Sequence, residues 1–165
     1  MEHKNQEIKC KIYEATLEDI TNIVQLWKEA IDLHASMDKS FILLENGEEK
    51  YARFLREAIF SEKQVILKAE NEDRELLGFI FGYISEKSMF FKRKITAHIS
   101  DIVVHKNHRK KGIGTRLMER FEKGFAKKFN ASSITLYVHP LNEIALKFYD
   151  KLKFKEQLRL LIKEI

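Results

Sequence analysis

The order of the secondary-structure patterns predicts an α/β or α+β three-layer sandwich, in which a mixed sheet lies between helices on both faces. The strand-like and helix-like segments read β-α-α-β-β-β-α-β-α-β, and crossover connections place helices against a sheet. The chain has 165 residues, enough for one domain with a substantial core, and it shows no repeat and no linker rich in proline or glycine. We therefore expect a single domain over residues 1–165.

The first third of the chain predicts one strand and two helices. Ile8–Tyr13 alternates as a strand. Thr16 is a capping residue with Asp19 three positions later, so the first helix is expected to begin there. Its apolar stripe comprises Leu17, Ile20, Val24, Trp27 and Ile31. The pattern over Glu48–Phe60 predicts the second helix.

Three strands are predicted in the middle of the chain. Gln64–Glu70 and Leu76–Ser85 have the composition of a hairpin, and the polar segment Asn71–Arg74 joins them. Ile95–Val104 is rich in isoleucine and valine and ends in an unbroken apolar run, which favours a buried fourth strand.

The turn after the fourth strand has the features of an anion-binding site. Apolar residues recur every four positions over Ile113–Phe125, so a helix follows the turn directly. The first N–H groups of a helix have no intrahelical partner, and its dipole favours negative charge at that end. Glycines let a phosphate approach those amides, and cationic side chains add attraction. The turn consists of Arg109, Lys110, Lys111, Gly112, Ile113 and Gly114.

The rest of the chain repeats the strand–helix pattern. Ser133–Val138 predicts a fifth strand, and Asn142–Leu152 predicts a fourth helix with one apolar face. Lys155–Ile162 is expected to close the sheet as a last strand.

These two strand–helix units resemble the GNAT superfamily of acetyl-CoA-dependent N-acetyltransferases. The family signature [QR]-x-x-G-x-[GA] is matched by Arg109–Gly114. A second family motif has an asparagine early in the next helix and a Phe-Tyr pair about seven residues on, matched here by Asn142 and Phe148–Tyr149. The resemblance in these motifs spans Ile95 to Phe154.

The resemblance implies a mostly antiparallel sheet that splays between strands four and five, with the pantetheine arm of acetyl-CoA in the gap. Backbone groups of Ile102, Val103 and Val104 would meet the arm, and Asn142 would bind it through its side-chain amide. The segment Lys110–Thr115 would hold the pyrophosphate.

The resemblance also implies a catalytic role for Tyr149, as the acid that protonates the departing thiolate; a phenol with a pKa of about 10 keeps its proton at neutral pH. Asp101 interrupts an apolar strand, and a carboxyl group whose pKa is raised by burial could accept the proton of the attacking amine. Ser100 stands where some relatives carry a glutamate, so a water path to solvent is the alternative to a dedicated base. His98 is a weaker candidate base.

Charge is unevenly distributed along the chain. Lys92–Lys128 has twelve basic and three acidic residues, a balance of +9, whereas Lys28–Glu49 has six acidic and two basic residues, a balance of −4. The basic part coincides with the expected phosphate site, and the acidic part suits a cationic amine acceptor. We therefore expect His34 and Asp38 to line the acceptor site, and Asp32 to help attract the charge of the acceptor. The alternative is that these charges are solvated helix faces.

Other functional classes fit the sequence less well. A non-catalytic acyl-CoA-binding or sensor domain is the main alternative, but such a domain has no use for a positioned acid. Nucleic-acid binding is not expected, because the phenylalanines among the basic residues lie on the core stripe. No His, Cys or Asp spacing indicates a metal, and no apolar run approaches the roughly 18 residues of a membrane span.

The remaining expectations concern compartment and acceptor. Cys10 is the only cysteine, which suits a reducing cytoplasm and predicts a buried structural thiol. The acceptor is expected to be an amine on a small molecule or a protein, and the oligomeric state stays open, a homodimer included.

Overall fold

A computed structural model of the chain describes residues 9–86, 90, 92 and 95–163. Its helices are α1 (Ile20–Met37), α2 (Gly47–Ile59), α3 (Ile113–Arg120) and α4 (Glu143–Lys151), and its strands are β1 (Lys11–Glu14), β2 (Gln64–Glu70), β3 (Leu76–Glu86), β4 (Ile95–Val104) and β5 (Ile134–Leu136). The strands form one sheet in the order β1-β2-β3-β4-β5. Neighbouring strands are antiparallel except β4 and β5, which are parallel.

Two apolar clusters cover the opposite faces of the sheet. On one face, buried residues of α1 and α2 such as Trp27 and Leu55 pack with Phe79 and Phe81. On the other face, α3 packs against the sheet, with α4 partly buried beside it. The expected three-layer arrangement with a mixed, mostly antiparallel sheet is therefore confirmed. No helix in the described part of the chain is long and apolar enough to cross a bilayer.

Most predicted elements are present, with small differences at their ends. β4 begins and ends as predicted, and α2 begins one residue earlier than predicted. β1 is observed from Lys11, whereas the predicted start at Ile8 lies outside the described residues. β5 is shorter than the predicted Ser133–Val138, and Asn142 is the N-cap of α4 rather than part of it.

The predicted last strand, Lys155–Ile162, is wrong. The segment is outside the sheet, and Leu158, Leu160, Leu161 and Ile162 are between 78% and 89% exposed. A strand needs a ladder of backbone partners, and β5 offers only three residues at that edge. The last three apolar residues of the segment Lys155–Ile162 are also consecutive, so they lack the alternation of apolar and polar residues that is typical of a half-buried strand.

The apolar stripe on the helix after the turn is confirmed, and its spacing has a structural reason. Ile113, Leu117, Phe121 and Phe125 are all buried. A repeat of four residues drifts around an α-helix of 3.6 residues per turn. The helix therefore widens into a π-helical segment over Phe121–Ala126, which keeps the later residues facing the sheet. A Cβ at Gly82 would lie 2.6 Å from the Phe121 ring, so glycine permits this close approach.

β4 carries a bulge at Ser100. Phe81 pairs with Asp101, and the following residue of β3 pairs with Ile99, so Ser100 has no cross-strand partner. Since side chains alternate along a strand, one extra residue moves all later side chains to the opposite face. Ile99 accordingly packs on the α3 face, whereas Asp101 contacts Trp27 on the α1–α2 face.

A largely buried ion cluster ties the start of the first helix to β2. Lys68 is 13% exposed and binds the carboxylates of Asp19, at 2.7 Å, and Glu70. The Asp19 carboxylate also accepts the Thr16 backbone N–H at 2.7 Å, as its predicted capping position requires. Burial raises the pKa of Asp19, but the hydrogen bonds from Lys68 and Thr16 outweigh that effect and hold it below its usual value.

We expect Lys68→Met to lower the free energy of unfolding by about 3 kcal/mol, because it leaves two poorly hydrated carboxylates without a cation. Urea melts at neutral pH measure this loss. The pKa of Asp19 is depressed, so the difference from the parent should be present at neutral pH and shrink as the pH falls through the folded-state pKa. Lys63→Met is the control, since its partner Glu86 and Lys63 itself are each 61% exposed. Equal melts for both variants would contradict the prediction.

Candidate active site

The turn between β4 and α3 presents free backbone N–H groups beside open space. Gly112 has φ +79° and Lys110 has φ +60°, so the chain makes two left-handed steps before the helix. Arg116 is the first residue whose N–H bonds within the helix, to the Gly112 carbonyl at 3.0 Å. A Cβ at Gly112 would meet nothing within 4 Å. The N–H groups before that of Arg116 belong to Ile113, Gly114 and Thr115, and they have no acceptor among the residues that the structure describes.

Two of the three cations of this turn also stabilise it. Arg109 Nε donates to the Val104 carbonyl at 3.1 Å, and Lys111 Nζ donates to the Asn107 carbonyl at 3.0 Å. Their charges stay beside the helix N-terminus while their hydrogen bonds hold the loop. The residues present therefore fit a diphosphate, which needs amide donors, positive charge and room.

A gap opens between β4 and β5. The strands pair only over Ala97–Ile99 and Ile134–Leu136, so the last residues of β4 have no neighbour in β5. The splay expected from the resemblance is present. The His105 N–H donates to the Leu77 carbonyl of β3 at 2.9 Å. In an antiparallel pair the backbone groups of successive residues point alternately towards the partner strand and away from it, so this bond sets the direction for each residue at the end of β4.

Because of that alternation, Ile102 and Val104 turn their backbone groups towards the gap. Val103 turns its own towards β3, where it pairs with Phe79. The Val104 carbonyl is occupied by Arg109, which leaves its N–H for a ligand. Of the three residues expected to meet an arm in the gap, Ile102 and Val104 have backbone groups that face it, whereas Val103 does not.

The end of α1 meets the loop before α4. Asn142 Oδ1 accepts the Ala145 N–H at 3.2 Å as a helix cap, and its Nδ2 lies 3.3 Å from His34 Nε2. Since Nδ2 can only donate, the neutral His34 ring accepts there and carries its proton on Nδ1. Burial, and then the charge of His139, lowers the pKa of His34, while Asp101 acts in the opposite direction.

Asp38 follows the end of α1 and lies beside His139, which is in the loop before α4. Its Oδ2 is 3.6 Å from His139 Nε2, and the Phe41 ring packs near both His34 and His139. Hydrogen bonds from Ser40 hold the pKa of Asp38 below its usual value, so it is ionised at neutral pH. His34, Asp38 and Asn142 are thus brought together, although they are far apart in the sequence.

Asp101 lies beside this group and is held by residues that the sequence did not indicate as functional. Trp27 Nε1 donates to its Oδ1 at 3.1 Å, and the Tyr51 hydroxyl donates to its Oδ2 at 3.0 Å. Burial raises the pKa of Asp101, and hydrogen bonds from Ser100, Tyr51 and Trp27 oppose that rise. The expected upward shift is present. A carboxylate inside an apolar strand requires hydrogen-bond donors. The position of Asp101 in the sequence therefore implied that donor side chains lie near it, but it did not identify them.

Tyr149 belongs to α4, and its ring lies between those of Phe148 and Phe154, whose centroids are 5.4 and 5.6 Å away. Burial and then the negative charge of Asp101 raise the pKa of Tyr149 to about 12. The phenol is therefore protonated throughout the physiological range. The two groups are close enough for the charge of one to shift the ionisation of the other.

Two other candidates have contact partners outside this group. His98 Nδ1 is 3.0 Å from Thr135 Oγ1, and its ring lies between Tyr83 and Tyr137. Asp32 forms an ion pair with Lys28 at 2.8 Å. Within the described residues, no group of three or more His, Cys, Asp or Glu side chains could hold a metal ion.

A sequence profile of the acetyltransferase (GNAT) family matches residues 23–154, which is most of the chain and includes every residue of the candidate active site. The chain belongs to the GNAT acetyltransferase family. The anion-binding turn, the gap and Tyr149 all lie within the matched region.

Similar proteins include other acetyltransferases. The catalytic subunit NAA10 of the N-terminal acetyltransferase A complex of Arabidopsis thaliana is 27% identical over 107 residues, which are 65% of this chain and 52% of that protein. The chain spans about half the length of the curated relatives it matches. The shared family therefore supports acetyl transfer in general.

Solved structures show the same fold as this GNAT chain. A tetramutant of BH1408 from Bacillus halodurans superposes with a TM-score of 0.82 at 21% identity, over 94% of this chain and 99% of that one. The aminoglycoside N-acetyltransferase AAC(6')-Iy in complex with CoA gives a TM-score of 0.77 at 14% identity, over 95% of both chains. At these identities the likeness concerns the fold alone.

Proposed function

We propose that the chain transfers an acetyl group from acetyl-CoA to a primary amine by direct attack in a ternary complex. The observation that carries the proposal is the buried Asp101 carboxylate on β4, just beyond the point where β4 and β5 part, which lies near enough to the Tyr149 phenol for its charge to act there. One is a carboxyl group and the other a phenol whose pKa is raised to about 12, partly by the charge of the first. Groups with such different ionisation suit a proton acceptor and a proton donor.

The two proton transfers would be coupled through charge. An amine attacks only after losing its proton, which Asp101 would accept directly or through water. Protonated Asp101 has no charge, so one of the two causes that raise the pKa of Tyr149 disappears. Tyr149 would then become a stronger acid at the step in which the thiolate leaves, and it would donate its proton to that sulfur.

The turn before α3 would hold acetyl-CoA. The amides of Ile113, Gly114 and Thr115 would bind the diphosphate with help from Arg109, Lys110 and Lys111, and the backbone of Ile102 and Val104 would bind the arm in the gap. Acetyl-CoA supplies the activated acetyl group. Asn142 would contact the arm with the Nδ2 proton that His34 does not use.

A panel assay of thioester consumption tests this function. The panel should contain polyamines, aminoglycosides, and peptides with a free α-amine or a lysine, since relatives act on protein N-termini and a structural neighbour on aminoglycosides. Intersecting initial-velocity lines are expected for a ternary complex, whereas parallel lines would indicate a covalent acetyl-enzyme. CoA binding without turnover on any amine would support a sensor domain instead.

We expect Asp38→Asn to raise KM for a cationic acceptor severalfold and to leave KM for acetyl-CoA unchanged, because Asp38 is ionised at the acceptor side. Asp32→Asn is the matched control, since Lys28 already offsets its charge. The parent value of kcat/KM should fall with ionic strength, more steeply for a polyamine than for a monoamine, since salt screens charges over about 8 to 10 Å. A neutral or anionic best acceptor would contradict this charge argument.

A further inference from the structure

The carboxylate of Asp101 accepts one hydrogen bond from an aromatic side chain on each oxygen, in addition to the hydrogen bond from its neighbour Ser100. Trp27 reaches Oδ1 from α1, and Tyr51 reaches Oδ2 from α2, at 3.1 and 3.0 Å. Both donors are neutral, so they bind the ionised carboxylate without cancelling its charge. The Ser100 bulge turns Asp101 to the face where these helices lie.

The two donors fix each other. The Trp27 and Tyr51 rings are stacked with centroids 3.9 Å apart and planes inclined by 14°. Tyr51 also packs on Phe54, which packs edge-on against Phe81 in the sheet. Trp27 is only 8% exposed. Neither ring can turn without breaking the stack, so the spacing of the two donors is set before Asp101 ionises.

A buried carboxyl group without such donors favours its neutral form, and a neutral carboxyl group cannot accept a proton. Hydrogen bonds to a charged acceptor are roughly twice as strong as those between neutral groups, so they selectively stabilise the ionised form. The other titratable groups that face Asp101 are His34 from α1 and Tyr149 from α4.

We propose that Tyr51 and Trp27 are positioning residues that keep Asp101 ionised and oriented as the proton acceptor. This inference rests on the proposed function, in which Asp101 takes the proton of the amine. It adds two residues that contact neither acetyl-CoA nor acceptor in that scheme. Their effect is exerted through Asp101.

The pH dependence of kcat, with acetyl-CoA and the best acceptor saturating, tests the proposal. Tyr51→Phe keeps the ring stack and removes one donor, so the pKa of Asp101 should rise. The acid limb of the kcat profile should move to higher pH by about one unit. At the low-pH end of this limb kcat should fall about tenfold, and on the plateau it should fall less. Trp27→Phe should move the limb in the same direction. Tyr13→Phe, on β1 and 46% exposed, should leave the profile unchanged.

Asp101→Asn separates failure of this inference from failure of the proposed function. If the acid limb survives in Asp101→Asn, another group such as His34 is the base, and the proposed role of Asp101 is wrong. If the limb disappears in Asp101→Asn but does not move in Tyr51→Phe, Asp101 keeps its role and the positioning proposal is overturned. A uniform loss of kcat at all pH values in Tyr51→Phe overturns it as well.

The double variant Tyr51→Phe/Asp101→Asn gives a readout independent of the pH limb. If Tyr51 acts through Asp101, removing its hydroxyl should change kcat little once Asp101 is gone. Additive losses would show that Tyr51 acts by another route and would overturn the proposal. CoA affinity, measured by calorimetry, is expected to stay at the parent value in every variant, which also shows that the variants are folded.

Discussion

Tyr149→Phe is expected to lower kcat by about a hundredfold or more, the usual scale for loss of a general acid. The ring that packs between Phe148 and Phe154 is retained, and only the proton is lost. The affinity for CoA should therefore stay within about twofold of the parent, while the chemical step slows. Steady-state kinetics combined with a single-turnover measurement tests this.

Tyr13→Phe is the control for the same chemical change at a distant position. A kcat of Tyr149→Phe within about twofold of the parent, with chemistry shown to be rate-limiting, would return Tyr149 to a packing role. An intermediate result is also informative. Thiols have pKa values of about 8.5, so an acceptor-bound complex in which water protonates the thiolate would lose less than a hundredfold.

Gly112→Val is expected to raise the Kd for CoA about ten- to a hundredfold. A β-branched residue at φ +79° carries about 1 to 3 kcal/mol of strain, and relieving that strain moves the N–H groups that follow. The added Cβ would meet no protein atom, so backbone conformation rather than internal packing is responsible. Lys110→Ala should weaken binding less, because it removes one cation and leaves the amides in place.

Two further variants make this prediction specific. Gly112→Asn should retain more affinity than Gly112→Val, since asparagine tolerates left-handed backbone. Gly124→Val lies in the π-helical segment, where a Cβ would have no neighbour closer than 3.8 Å, and it should bind CoA like the parent. Undiminished affinity in Gly112→Val, measured by calorimetry, would show that these amides do not hold the cofactor.

Local patterns in the sequence were sufficient to predict most of the fold. β4 and the glycine turn were located because an apolar strand, two glycines and a four-residue apolar repeat are adjacent in the chain. The last strand, Lys155–Ile162, was wrong because strand formation depends on a partner edge, and the three-residue β5 could not be foreseen from composition. Whether a segment favours a helix or a strand depends on its own residues, whereas strand pairing depends on segments that are distant in the sequence.

The candidate site was predictable only in part. Asp101 stood out as a charge in an apolar strand, and its environment raises its pKa as expected. Trp27 did not stand out, because its position in an apolar stripe hides the one polar atom of its ring. Tyr51 and the contact between His34 and Asn142 depend on how helices cross the sheet. No spacing along the chain encodes such contacts.

The bulge at Ser100 makes the length of β4, rather than the chemistry of one side chain, a determinant of function. Deleting Ser100 would remove the bulge, so side chains would alternate between the two faces of the sheet along the whole of β4. Either Asp101 would then point among the leucines under α3, or the first half of β4 would lose its match to that core. Substitutions at this exposed serine keep the alternation of side chains, so they should affect Asp101 only through loss of the hydrogen bond from Ser100. In a library of variants, this position should tolerate many substitutions but not a deletion.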